Sequence, residues 1–132
     1  MGADSPPALG PAGTIHASLE NVGRYLSAHL LGARGRGWRL APETFGQLHH
    51  PRGEQDYALG WVLVASPLAG GLALTHAGSN LNWYSVAWVM PVLKISLFVI
   101  TNQGGEAGFQ VVDETVGAIM QYAAETIPGV SR

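Results

Sequence analysis

The eight residues from Trp83 to Met90 constrain the fold more than any others in the chain. Their two alternating sets, Trp83/Ser85/Ala87/Val89 and Tyr84/Val86/Trp88/Met90, contain no charged side chain. A strand sends successive side chains to opposite faces, so this one has no face made for water. Helices are therefore expected over both sides of the sheet that holds it. Three further runs read as strands: Tyr57 to Ala65, Gly71 to Thr75, and Lys94 to Thr101, which a turn at Pro91 joins to the uncharged segment. The connections are short enough for hairpins, which favours antiparallel pairing.

Helical signals lie on either side of this region. Ser18 is placed to cap a helix with Glu20 in its first turn, and Leu19, Val22, Tyr25, Leu26 and Leu30 recur at helical spacing before Gly32. The expected helix runs from about Leu19 to Leu31. Ala41-Pro42-Glu43 suits the start of a short helix that ends near His49, ahead of Pro51. Near the end, Val112, Val116, Ile119, Met120 and Ala123 follow a 3.6-residue period, with Pro128-Gly129 as the stop. The turn formers before Thr14 predict an irregular start. The expected organisation is one α+β unit over 1–132, with an antiparallel sheet and packed helices. Within it, 1–17 is irregular, 18–50 helical, 57–101 strands, and 109–126 a C-terminal helix.

Composition narrows the function classes. Of 132 residues, 12% are charged and the net charge is -2, so the electrostatic footprint of a nucleic-acid binder is missing. The glycine-arginine alternation of Gly32 to Gly37 reads as a flexible turn rather than an RNA contact. With no cysteine, disulfides, iron–sulfur clusters and a thiol nucleophile are excluded. The first eleven residues lack a basic segment followed by an apolar run, and Pro91 and Lys94 interrupt the most apolar stretch, so neither a signal peptide nor a membrane span is predicted. Localisation stays open.

Most catalytic devices are missing from the sequence. The one lysine, Lys94, has Pro91 three positions before it, so there is no Ser-x-x-Lys turn. No serine sits in Gly-x-Ser-x-Gly, and no phosphate-binding glycine loop occurs. Five histidines are present, but adjacent His49 and His50 diverge, and His16, His29 and His76 form no paired ligand motif. No metal or other cofactor is expected. Glu106, Asp113 and Glu114 are read as acids near the start of the last helix. Trp88 is read as packing, while Trp83 and Tyr84 are candidates for either packing or a cleft wall.

Five segments, in order, carry a resemblance. Pro11-Ala12-Gly13 leading to the Ser18-capped helix with Arg24-Tyr25 is the first, and Leu40-Ala41-Pro42-Glu43-Thr44-Phe45 the second. Tyr57-Ala58-Leu59-Gly60-Trp61, Thr75-His76-Ala77-Gly78-Ser79-Asn80 and Thr101-Asn102-Gln103-Gly104-Gly105 follow. Together they resemble the C-terminal part of the class C β-lactamase and penicillin-binding-protein-like serine hydrolases, a family that includes esterases and D-alanyl-D-alanine carboxypeptidases. The resemblance implies an incomplete β-lactamase/transpeptidase-like fold and hydrolysis of a β-lactam, peptide or ester through an acyl-enzyme. It also implies that His76 and Ser79 are catalytic. His76 would polarise the serine and tyrosine network, and the Ser79 N–H would stabilise the oxyanion. Ala77, Gly78, Asn80 and Trp83 would contact the substrate.

Two departures qualify these expectations. Ala77 stands where the family often has threonine, which weakens recognition of a substrate carboxylate and favours esters. No tyrosine is followed two positions on by asparagine, and Ser-x-x-Lys is missing, so the chain is expected to be a weak catalyst or none. Its expected partners are a small-molecule substrate or the N-terminal part of the hydrolase, with self-association through an exposed sheet edge. The competing readings are a non-catalytic binding module and a small esterase in which His76 activates Ser79 or Ser85.

Overall fold

The Ser18 hydroxyl accepts the Asn21 N–H at 3.3 Å, which satisfies one of the free donors at a helix start, and Glu20 pairs with Arg24 one turn later at 2.6 Å. The result is helix α2, Leu19–Ala33, preceded by the short helix α1, Gly10–Gly13, and a single turn at Pro7–Leu9. In the computed structural model, which describes residues 7–127 except 54, α3 (Pro42–Leu48) follows. Four strands come next: β1 (Val62–Ser66), β2 (Gly71–Ser79), β3 (Tyr84–Met90) and β4 (Ile95–Thr101). Helix α4 (Gly105–Thr126) completes the order. The first six residues of the irregular start and the Pro128-Gly129 stop lie outside the described residues.

The strands form one antiparallel sheet in the order β1-β2-β3-β4. The two uncharged sets of β3 account for its layers. Tyr84, Val86, Trp88 and Met90 face α4, meeting Val112, Val116 and Met120 together with Leu93 and Leu97. Ala87 and Val89 face the other way, toward Leu26, Leu30 and Val22 of α2 and toward Trp61 and Leu74. Each face buries apolar area on a helix, at about 25 cal/mol per Å² removed from water. The chain is thus α+β with helices on both sides of the sheet.

Several boundaries differ from the sequence expectation. The start expected to be irregular holds the helical turns at Pro7–Leu9 and Gly10–Gly13. Tyr57 to Trp61 is not part of β1. Tyr57 makes only an isolated bridge with Val62, and the chain turns at Gly60, whose φ of 85° is in the left-handed region, so that the Ala58 N–H reaches the Trp61 carbonyl at 2.7 Å. Strand β2 continues four residues beyond Thr75 because β3 pairs with it as far as Ser79↔Tyr84. Helix α4 begins at Gly105, so Asp113 and Glu114 lie on its exposed middle turns rather than at its start; Glu106 alone of the three acids is in the first turn.

Candidate functional site

The residues from Thr75 to Ser79 owe their setting to an unequal pairing of β2. On one side the register with β3 runs from Leu74↔Val89 to Ser79↔Tyr84. On the other side the register with β1 ends at Val62↔Thr75. His76, Ala77, Gly78 and Ser79 therefore have a laddered edge and an edge with no strand beside it among the described residues. Thr75 is half-buried and fixes the last doubly paired position, its hydroxyl donating to the Ala87 carbonyl at 3.0 Å.

Alternation along β2 sorts the side chains. Leu74, His76 and Gly78 share the α2 face, opposite Val89, Ala87 and Ser85 of β3. Ala77 is directed to the α4 face, opposite Val86. His76 is exposed, and its ring centroid lies 6.4 Å from that of Tyr57. Three residues of extended chain hold His76 and Ser79 about 10 Å apart and on opposite faces, so the strand keeps this imidazole away from this hydroxyl. Ser85, diagonal to His76 on the shared face, is the nearer of the two serines considered.

A four-residue turn joins β2 to β3 and is held by side chains. The Ser79 hydroxyl donates to the Trp83 carbonyl at 2.7 Å and accepts the Leu81 N–H at 3.3 Å. Asn80 Oδ1 accepts the Trp83 N–H at 3.1 Å. Leu81 occupies the left-handed region at φ 75°, uncommon for a branched side chain, and its carbonyl packs against Gly104, where an added Cβ would sit 1.8 Å from that oxygen. The Ser79 and Asn80 side chains are thus engaged in shaping the turn. Besides backbone, the turn presents to its surroundings the Leu81 side chain, 89% exposed, and the Trp83 ring, 49% exposed.

Above this turn lies a cleft of about 550 Å³. The sheet contributes Gly78, Ser79, Asn80, Trp83, Ser85 and Ile100 to its walls. The opposite wall is the helical start of the chain, with Leu9, Ala12, Gly13 and His16. Four of the six residues singled out from sequence, Gly78, Ser79, Asn80 and Trp83, thus border one cavity, while His76 and Ala77 do not line it. Trp88 and Tyr84 pack on the α4 side, Tyr84 edge-on to Phe109 at 5.9 Å.

Sequence reasoning did not place His16 and Ser85 in this cleft together. His16 was legible only as one of five histidines, in the stretch expected to be irregular, and nothing in a one-dimensional pattern shows that this stretch folds over β2. A histidine pair was also missed. His29 Nδ1 lies 2.8 Å from His49 Nε2 among the rings of Tyr25, Phe45 and Trp61. Burial, and then the neighbouring His49, push the His29 pKa down from 6.5 to about 4. Burial lowers His49 as well. These two rings join α2 to the end of α3.

The sequence model described as Beta-lactamase matches residues 1–120. No curated protein and no solved structure matches the chain.

Proposed function

Since this chain belongs to the Beta-lactamase family over residues 1–120, we propose that it supplies the His-x-Gly strand and the oxyanion-hole side of a serine hydrolase site. In this reading a serine carried by a Ser-x-x-Lys segment outside this sequence attacks a β-lactam, peptide or ester carbonyl. The acyl-enzyme forms as the leaving group departs, and water then releases it. The Ser79 N–H faces the oxygen that becomes negative in the tetrahedral intermediate, where a fixed amide donor is most useful. Gly78 keeps a Cβ away from the substrate. His76 hydrogen-bonds the serine and tyrosine network from the same strand.

The observation that carries this reading is the unequal pairing of β2. Its polar and glycine-containing end is held straight by β3 and left open on the other edge, beside a cleft of ligand size. An autonomous esterase built on His76 and Ser79 fits less well, because the strand separates the two groups and the Ser79 hydroxyl already donates to Trp83.

The test begins with the DNA upstream of the first codon. An in-frame Ser-x-x-Lys is expected there, and the longer protein should form a fluorophosphonate adduct on that serine. Gly78→Val, which places a branched side chain at the open edge, should slow labelling at least tenfold while leaving the circular dichroism spectrum unchanged. Stop codons throughout the upstream frame, or a labelling rate indifferent to Gly78→Val, would overturn the proposal.

A further inference from the structure

His16 is the one ionisable side chain among the described residues lining the cleft, and its ring is already oriented. Its Nδ1 lies 2.9 Å from the Thr14 carbonyl oxygen. A carbonyl oxygen only accepts, so Nδ1 is the donor, and in that tautomer Nε2 is the hydrogen-bond acceptor. The same device, a backbone carbonyl fixing the tautomer and aim of an imidazole, recurs where histidines must meet a ligand in one orientation.

The remaining lining defines what such a ligand can be. No Asp, Glu, Lys or Arg is among the described lining residues, whose side chains therefore offer no fixed charge to neutralise a carboxylate or an ammonium group. Trp83 and Ile100, 49% and 46% exposed, give an apolar strip on the sheet side. Asn80 Oδ1 is occupied by the Trp83 N–H, and the Ser79 hydroxyl by the turn, so the Asn80 Nδ2 amide and the Ser79 N–H remain as donors, beside the Ser85 hydroxyl, and His16 Nε2 as the ring acceptor.

We infer that His16 is a ligand-contacting residue of this cleft, its Nε2 accepting a hydrogen bond from an N–H or O–H of an uncharged ligand whose apolar part lies on Trp83 and Ile100. This rests on reading the cleft as the substrate side of a hydrolase. The inference nevertheless concerns equilibrium binding, which needs no nucleophile, so it stands or falls separately from the labelling experiment above.

The probes are N-benzylacetamide, its N-methyl derivative, which lacks the donor, and phenylacetate, an anion. Titration of the chain followed by NMR should shift the amides of Gly78 and Ser79 and the indole of Trp83 with N-benzylacetamide. His16→Phe should weaken that binding about fivefold, the loss of one hydrogen bond worth roughly 1 kcal/mol, and leave the N-methyl probe unaffected. His16→Gln, which keeps an acceptor, should retain more of the affinity. The inference is overturned if His16→Phe weakens both neutral probes equally, if it weakens neither, or if phenylacetate binds as tightly as the amide.

Discussion

Lowering the pH should loosen the junction of α2 and α3 before it affects the rest of the molecule. His29 is 6% exposed, touches Tyr25, Phe45 and Trp61, and shares a hydrogen bond with His49 that needs at least one of the two rings neutral. Its folded-state pKa is held at about 4, against 6.5 when unfolded. A histidine whose pKa is depressed by folding stabilises the native state fully above the unfolded value, and that contribution is lost as pH falls through 6.5 toward 4. At about pH 5 the loss is ~2 kcal/mol, and it approaches ~3 kcal/mol below the folded pKa. His49 shifts in the same direction and adds to it. Carboxylates begin to titrate nearby, so the assay is a difference: urea unfolding at about pH 7.5 and about pH 5, for the protein and for His29→Leu/His49→Leu. The double variant should lose less stability over this interval, by ~2 kcal/mol. Equal losses in the two proteins would refute the reasoning.

Two packing predictions test the fold around the cleft and the histidines. Gly32→Ala would place a Cβ 2.1 Å from Phe45 Cγ, so the usual gain of up to ~1 kcal/mol for alanine in a helix is outweighed, and denaturant unfolding should show a net loss of about 1–3 kcal/mol. Asn80→Ala removes the acceptor for the Trp83 N–H at 3.1 Å. Hydrogen exchange at the Trp83 amide should quicken about fivefold, for a loss near 1 kcal/mol, while global stability changes less.

How much of this was legible in the sequence depends on how local each cause is. The helix after Ser18 was readable because cap, acid and apolar spacing all lie within fifteen residues. The two uncharged faces of β3 announced helices on both sides of the sheet, and α4 and α2 cover them. The length of β2 was not readable: His76, Ala77, Gly78 and Ser79 have weak strand propensity and are extended because β3 pairs with them. The last helix was expected over 109–126, yet α4 starts at Gly105, and its N-cap Gly104 sits where the Leu81 carbonyl leaves no room for a side chain. Of the site, Gly78, Ser79, Asn80 and Trp83 could be grouped because they are neighbours in sequence. His16 and Ile100 reach the same cleft only through tertiary folding, as does the His29–His49 contact across twenty positions.

On the function proposed above, this chain holds the oxyanion side of a serine hydrolase site and not its nucleophile. Intact-mass measurement of the chain after incubation with a fluorophosphonate, and separately with a penicillin, tests it most directly. The mass should stay that of the 13.9 kDa chain with both reagents. A stoichiometric adduct, lost in Ser79→Ala or Ser85→Ala and slowed in His76→Ala, would contradict it.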